Sequence, residues 1–223
     1  REAYDLGARC TMLGLPMWCT ADMTTAVKFY RDVAEACPEM AICVYANPGA
    51  FRFPFSTEFW AQVCDIPQIV MAKMGGIATI AADLEACKKR IRLLPIETFY
   101  LKAAQIDPDA VTAFWSSGAV CGPSLATRLR DEVKRAKQSG DWASATELSE
   151  AIGKTLWPLI PGGNNFEELN KYNIGLEKER MNAGGWMKAG PCRPPYTYVP
   201  EAYLEGARAS GRGWAELAKK TGA

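Results

Sequence analysis

Histidine is absent from this sequence of 223 residues, and its absence narrows the possible chemistry more than any motif does. Without histidine, these residues cannot build a Ser-His-Asp triad, a Cys-His nucleophile pair or a histidine-ligated zinc site. Lysine, tyrosine, cysteine and the carboxylates are left to carry any catalysis. A reactive lysine or tyrosine is therefore the first kind of centre to look for.

Other features that the sequence lacks limit the environments and partners that we expect for the protein. No apolar run approaches the ~20 residues of a membrane span, and the net charge is only +1, so we expect neither a membrane nor a nucleic-acid partner. The eight cysteines include no Cys-x-x-Cys pair, which is typical of reduced thiols in a cytoplasmic protein. The sequence begins at Arg1 without an initiator methionine, and we expect it to start partway into a longer polypeptide.

Strand-like runs alternate with helical patterns over the first half of the chain. The predicted strands cover residues 9–15, 41–45, 68–74, 91–95 and 111–115. This alternation predicts an α/β protein with a parallel sheet, as in part of a (β/α)₈ barrel or in a doubly wound fold. No Gly-x-Gly-x-x-Gly or Gly-x-x-x-x-Gly-Lys-Ser/Thr motif follows any of these strands, so nothing supports a nucleotide-binding doubly wound fold. From residue 123 onward the pattern predicts helices.

Lys73 lies at the end of a short apolar run that stops at Gly75-Gly76, where a buried parallel strand would reach its C-terminal edge. A buried ammonium group is costly, so a lysine there extends to solvent, pairs with a carboxylate or loses its proton. A neutral amine is the nucleophile that Schiff-base chemistry requires. Taken alone, Lys73 leaves the structural and the catalytic interpretation both open.

Side chains that suit one pocket follow the ends of several predicted strands. They are Trp18, Tyr45, Asn47, Trp115 and the segment Ser116-Ser117-Gly118. In a barrel, the C-terminal strand ends and the loops after them form the active site. The set suits an aromatic 2-oxo acid, with Lys73 as nucleophile, Tyr45 as proton relay and Asn47 orienting water or a hydroxyl. Each residue also has a structural interpretation, for example as a core aromatic or as part of a turn.

Five motifs together carry a resemblance to a known family. They are Tyr45-Ala46-Asn47-Pro48, Ala72-Lys73, Phe114-Trp115-Ser116-Ser117-Gly118, Lys171-Tyr172-Asn173-Ile174-Gly175-Leu176-Glu177-Lys178 and Lys188-Ala189-Gly190-Pro191-Cys192-Arg193-Pro194-Pro195-Tyr196. From about residue 6 to 217, the sequence resembles the trans-o-hydroxybenzylidenepyruvate hydratase-aldolases. These pyruvate-forming aldolases of bacterial naphthalene and phenanthrene breakdown are a branch of the dihydrodipicolinate synthase and N-acetylneuraminate lyase superfamily.

The resemblance implies a class I aldolase with a (β/α)₈ TIM barrel and a C-terminal helical extension. It implies no metal and no other cofactor, a small aromatic 2-oxo acid as substrate, and a homotetramer. Residues 1–121 would be barrel strands four to eight, and residues 122–223 the last barrel helix and the extension. The family's carboxylate-binding glycine-threonine loop has no match here, so we expect this chain to lack roughly the first three strands.

The resemblance also assigns roles. Lys73 matches the Schiff-base lysine, Tyr45 the tyrosine that moves protons, and Asn47 the amide that holds the attacking water or the new hydroxyl. Residues implied to contact the substrate are Trp18, Trp115, Ser116, Ser117, Gly118 and Asn173. The implied reaction is hydration and retro-aldol cleavage of a benzylidenepyruvate to pyruvate and an aromatic aldehyde such as salicylaldehyde.

Two alternatives stay open at this point. The first is a related aldolase that acts on 2-carboxybenzylidenepyruvate or on another 2-oxo acid, because Met74-Gly75-Gly76 stands where the family often has Tyr-Leu after the lysine. The second is a catalytically silent, truncated paralogue that is held to a partner by its helical part.

Overall fold

A parallel sheet is the framework of the first part of the chain. The computed structural model describes residues 1–222, and these divide into two compact units, Arg1–Trp115 and the part from Ser116 onward. Within the described residues of the first unit, the strands are β1 (Cys10–Leu13), β2 (Ala41–Ala46), β3 (Ile69–Met74) and β4 (Arg92–Pro95). They pair in the order β1-β2-β3-β4, and every pair is parallel. The predicted α/β class with parallel strands is confirmed.

Helices connect these strands, as parallel pairing requires. The connecting helices are α2 (Met23–Ala36), α3 (Pro48–Phe51), α4 (Thr57–Val63) and α5 (Ile80–Ala86), while α1 (Glu2–Asp5) precedes β1 and α6 (Glu97–Ile106) follows β4. The Asp22 side chain caps α2 by accepting a hydrogen bond of 2.7 Å from the backbone N–H of Thr25. Ile42 and Val44 lie on one side of β2, and both are buried, as is Ala72, which pairs with Val44 on β3; this face of the sheet belongs to the core of the unit.

The fifth predicted strand, over residues 111–115, is reduced to one bridge between Ile96 and Trp115. The N–H of Trp115 donates to the carbonyl of Pro95, and the carbonyl of Trp115 accepts from the N–H of Glu97. Just before this bridge, a turn engages the backbone N–H groups that could otherwise pair in a sheet. The Asp107 carboxylate accepts hydrogen bonds from the N–H groups of Asp109 and Ala110. The Asp107 backbone carbonyl accepts a third from the N–H of Val111. The predicted pairing is therefore present only at the last residue of the segment.

The second unit is helical over its described residues. Its helices are α7 (Ser124–Ser139), α8 (Ala143–Leu156), α9 (Phe166–Gly184) and α10 (Glu201–Thr221), with short 3₁₀ turns at Gly118–Cys121, Trp157–Leu159 and Pro161–Gly163. Helix α10 packs against α7, α8 and α9. The division of the chain at residue 121 into a barrel part and an extension stays a prediction. Over residues 1–222, no helix has the length and apolar character needed to cross a lipid bilayer.

Candidate active site

The register of the sheet places Lys73 beside Tyr45. Tyr45 in β2 pairs with Lys73 in β3, which in turn pairs with Leu94 in β4. Both Tyr45 and Lys73 are the next-to-last residues of their strands, so they lie at the C-terminal edge of the sheet. The Nζ atom of Lys73 is 4.6 Å from the centroid of the Tyr45 ring. Both side chains are partly exposed, which leaves the amine accessible to a carbonyl compound.

Asn47 connects this pair to the loop that follows β2. Its Nδ2 donates a hydrogen bond of 3.3 Å to Oη of Tyr45, and its Oδ1 accepts one of 3.1 Å from the N–H of Ala50. The second bond makes Asn47 the N-cap of α3, with Pro48 in the first turn. Because Asn47 donates to the phenol oxygen, the Tyr45 hydroxyl proton is free to point toward another acceptor. Lys73, Tyr45 and Asn47 are thus brought together as the sequence predicts.

A sulfur-containing residue lies on the same face of β2 as Tyr45. Cys43 is two positions before Tyr45, which puts both side chains on one side of the sheet, and its thiol is buried. Burial raises the pKa of the Cys43 thiol to about 11; nearby Cys10 adds to the rise, and the backbone N–H and charge of Lys73 oppose it. The thiol therefore stays protonated at neutral pH, so it does not compete with the Lys73 amine as a nucleophile.

Phe51 supports the Tyr45 ring from the side. The two rings meet edge to face, with centroids 5.6 Å apart and an interplanar angle of 80°. Phe51 is buried, and its ring occupies the space where a Cβ on Gly14 would lie. Glycine is thus required at position 14 by a close approach of the ring, and the contact fixes α3 against the end of β1.

The two predicted tryptophans have different surroundings. Trp18, in the segment between β1 and α2, is 93% exposed. The backbone around it is held by Arg52, whose Nη2 donates to the carbonyls of Met17 (2.6 Å) and Trp18 (2.7 Å). Trp115 is partly buried, and its indole N–H lies out of contact with solvent and has no hydrogen-bond partner among the described residues. The structure does not test the substrate contact predicted for either indole.

The remaining predicted residues belong to the second unit. Ser116 accepts a hydrogen bond of 3.1 Å from the N–H of Ala119, and Gly118 begins the 3₁₀ turn. Gly118 is buried, whereas Ser117 and Asn173 are exposed, the latter on α9. Their predicted contacts with substrate are likewise untested.

Gly118 has a structural reason to be glycine, because a Cβ there would overlap the ring of the buried Trp214. We expect Gly118→Ala to lower the free energy of unfolding by about 1–3 kcal/mol through overpacking. The matched control is Gly153→Ala in α8, where an added Cβ meets nothing within 4 Å. This control should raise stability by roughly 0.5–1 kcal/mol, because alanine is the better helix former. Urea titrations of both variants give the comparison, and equal shifts would contradict it.

Sequence reasoning missed three residues around these sites. Phe51 and Arg52 could not be assigned, since only folding shows which ring packs on Tyr45 and which cation reaches the Trp18 backbone. The third is Arg180 on α9, which is fully buried, pairs with Glu177 at 3.2 Å and donates to Oγ of Ser117 at 3.4 Å. Its Nε and Nη2 have no hydrogen-bond partner within the described part of the chain. A fully buried arginine is rare, and nothing in the local sequence distinguishes Arg180 from an exposed helix residue.

No group of three or more histidine, cysteine, aspartate or glutamate side chains is arranged to hold a metal ion within residues 1–222. The groups that the geometry does bring together are an amine beside a phenol, and the phenol is in turn hydrogen-bonded to an amide.

Comparison with known proteins adds to this geometry, although no protein-family model matches the chain. The sequence is 57% identical over 219 residues to a trans-O-hydroxybenzylidenepyruvate hydratase-aldolase from Sphingobium xenophagum, covering 98% of this chain and 66% of that protein. The solved structure of PhdJ bound to a substrate intermediate is 43% identical, with a TM-score of 0.91, and the match covers 97% of this chain and 67% of PhdJ. The chain belongs to the trans-o-hydroxybenzylidenepyruvate hydratase-aldolase family.

The chain spans just under two thirds of the length of the curated relatives that it matches. A more distant relative is a trans-2'-carboxybenzalpyruvate hydratase-aldolase from Nocardioides sp. strain KP7, 36% identical over 96% of this chain and 64% of that protein. The fold is also similar to that of a sialic acid aldolase from Ruminococcus gnavus, with a TM-score of 0.75 at 12% identity over 98% of this chain and 68% of the other. The resemblance read from the five sequence motifs is confirmed by these matches.

Proposed function

We propose that this chain carries the Schiff-base centre of a hydratase-aldolase, a class I lyase that hydrates and cleaves an aromatic benzylidenepyruvate. The products are pyruvate and an aromatic aldehyde of the salicylaldehyde type, as in bacterial naphthalene degradation. The observation that carries the proposal is the contact of three side chains at one sheet edge: the Lys73 amine over the Tyr45 ring, and the Tyr45 hydroxyl bonded to Asn47. Family membership agrees with this chemistry.

The first steps follow from the amine and the phenol. The Lys73 amine attacks the 2-oxo carbon of the substrate, and the resulting carbinolamine loses water to form an imine. This loss needs a proton on the departing oxygen, and the Tyr45 hydroxyl is the adjacent donor in the structure. The protonated imine is conjugated with the C3–C4 double bond, so it withdraws electrons from C4.

The later steps need a positioned water. Water adds to C4, its oxygen becoming the C4 hydroxyl while C3 takes up a proton. Loss of the hydroxyl proton then breaks the C3–C4 bond, releasing the aldehyde and leaving an enamine on Lys73. Protonation and hydrolysis of the enamine return pyruvate and the amine. The Asn47 amide is suited to hold the water and then the hydroxyl, since it already lies within hydrogen-bond distance of the Tyr45 oxygen.

An o-hydroxyphenyl substrate is the better supported choice. The chain is 57% identical to the hydroxybenzylidenepyruvate enzyme and 36% identical to the carboxybenzalpyruvate enzyme. The substrate-contacting roles that the resemblance gives to Trp18, Trp115, Ser116, Ser117, Gly118 and Asn173 stay predictions. The relative rates of turnover of the hydroxy and carboxy substrates would decide between the two.

We further propose that the parallel sheet is part of a (β/α)₈ barrel with additional strands, followed by a helical extension, and that the enzyme is a homotetramer. The barrel is supported by the likeness to a sialic acid aldolase, of whose chain the match covers 68%. The exposed side chains of β1, including Met12, are compatible with a further strand at that edge. Sedimentation analysis of the full-length protein tests the tetramer.

The direct test of the proposed function is reduction with borohydride in the presence of pyruvate, followed by peptide mass mapping of the full-length protein. A pyruvate-derived adduct on Lys73 is the expected result, because borohydride reduces the imine to a stable secondary amine. Absence of any adduct, or an adduct on another lysine, would overturn the proposal.

The role of Asn47 can be tested with two variants that separate its hydrogen bond to Tyr45 from its hydrogen bond to the start of α3. Asn47→Ser keeps a capping oxygen for α3 and Asn47→Ala removes it, while both remove the amide next to Tyr45. We expect both variants to slow water addition by about 10–100-fold, and only Asn47→Ala to lose about 1 kcal/mol of stability. Borohydride trapping should change little in either.

Decay of the enone absorbance measures the water-adding step. Aldol formation from pyruvate and the aldehyde runs the bond cleavage in reverse, and it measures that step without the addition of water. An equal loss in trapping and in water addition would remove the role given to Asn47.

A further inference from the structure

The segment between β1 and α2 presents its largest side chains to solvent. Trp18 is 93% exposed and the neighbouring Met17 is 64% exposed. An indole with so little packing receives its position from its backbone and not from surrounding side chains. What holds the backbone of this segment therefore decides where the Trp18 ring lies.

Arg52 supplies that hold. Its Nη2 donates short hydrogen bonds to two successive carbonyls, those of Met17 at 2.6 Å and Trp18 at 2.7 Å. Such bonds from a charged donor are about twice as strong as neutral ones. Arg52 itself has a left-handed backbone conformation, with φ of 50°, at the C-terminal end of α3. A non-glycine residue in this region is uncommon and persists where its surroundings require it.

The same short helix is tied to the catalytic residues at its other end. Asn47 caps α3 and bonds to Tyr45, and Phe51 packs against the Tyr45 ring. Phe51 also contacts the segment at Gly14, so the segment is fastened to α3 both at its start and at residues 17–18. A continuous path of contacts thus runs from Tyr45 through α3 and Arg52 to the Trp18 backbone.

We propose that Arg52 is a positioning residue that fixes the Trp18 segment relative to Lys73, Tyr45 and Asn47, and so sets the affinity for the aromatic part of the substrate. Arg52 acts through Trp18 and touches none of the reacting atoms. This proposal rests on the proposed function for its effect on KM. Its structural half, that Arg52 holds residues 14–22 in place, is independent of catalysis.

The kinetic test compares Arg52→Ala with a matched control in the full-length protein. Arg92 is the control, because its Nη1 likewise donates to two successive carbonyls, those of Asp109 and Ala110, but from the first residue of β4 at the opposite edge of the sheet. For o-hydroxybenzylidenepyruvate we expect Arg52→Ala to raise KM about tenfold, the loss of one well-made interaction, with kcat within about twofold. Trapping of pyruvate should be unaffected, and Arg92→Ala should change neither constant.

A double variant decides whether the effect passes through Trp18. If it does, adding Arg52→Ala to a Trp18→Ala protein will not raise KM further, because the side chain being positioned is already gone. An equal increase in KM in both backgrounds, or a fall in kcat and in the rate of pyruvate trapping, would show that Arg52 acts elsewhere and would overturn the proposal.

Amide hydrogen exchange provides a readout that needs no activity. Exchange in peptides covering residues 14–22 should become at least about tenfold faster in Arg52→Ala and stay unchanged in Arg92→Ala. Unchanged exchange in Arg52→Ala would refute the hold on the segment, whatever the kinetics show. A wild-type protein without a Lys73 adduct would instead refute the proposed function, so the two failures are distinguishable.

Discussion

Replacing Lys73 by alanine is expected to abolish both the trapped pyruvate adduct and substrate cleavage, with a loss of more than about 10³-fold in kcat. The amine is the only group of this side chain that can form an imine, and the neighbouring Cys43 thiol is buried and protonated at neutral pH. Water can still reach the site, but without the imine there is no electron sink at the 2-oxo carbon. Steady-state turnover and mass mapping after borohydride treatment measure the two losses.

The fold should survive this substitution. Lys73 is partly exposed, and its shortening adds no buried charge, so the free energy of unfolding should change by no more than about 0.5–1 kcal/mol. Lys102→Ala, which removes an exposed lysine from α6, is the control for general effects of lysine loss. Turnover by the folded Lys73→Ala protein within tenfold of the wild type would contradict the mechanism.

Replacing Tyr45 by phenylalanine is expected to reduce kcat by about 10²–10³-fold while the imine with pyruvate still forms, more slowly. Phenylalanine keeps the edge-to-face contact with Phe51 and the ring under the Lys73 amine, so the change removes the hydroxyl alone. The loss arises because no adjacent group donates a proton to the departing oxygen. Rapid-mixing measurements of imine formation and of product release separate the steps.

Tyr30→Phe is the matched control. The Tyr30 hydroxyl donates to the carbonyl of Leu13 at 3.1 Å, and burial raises the pKa of this phenol, so it stays protonated and has a structural role. Its removal should cost about 1 kcal/mol of stability and leave kcat unchanged. If both tyrosine variants lost stability and neither lost kcat, the assignment of Tyr45 as the proton relay would be wrong.

The positions of Lys73, Tyr45 and Asn47 could be predicted because local patterns determine them. An apolar run that ends at paired glycines marks the end of a strand, and neighbouring parallel strands bring their C-terminal ends to one edge of the sheet, as Tyr45 and Lys73 show. The same reasoning overestimated the fifth strand, since it could not foresee that Asp107 would engage the backbone groups of the next residues. Side-chain hydrogen bonds of this kind compete with sheet formation.

The contacts that surround the site could not be predicted, because they join residues far apart in the sequence. Arg52 reaches carbonyls 34 and 35 residues earlier, and the Phe51 ring fills the space beside Gly14. Neither pairing leaves a periodic signal in the sequence. The burial of Arg180 could not be predicted for a different reason: charged residues on helices are expected to face solvent.

Asn47 uses one side chain for two purposes, and this constrains how the enzyme can evolve or be redesigned. Its oxygen caps the start of α3, and its nitrogen donates to the Tyr45 phenol, the proposed proton relay. A replacement that tunes the water-adding chemistry but lacks a capping oxygen would at the same time loosen the helix that carries Phe51 and Arg52. New substrate preferences are therefore easier to reach by changing the Trp18 segment than by changing Asn47, and a library that varies residues 15–20 with Asn47 fixed is the natural starting point for directed evolution.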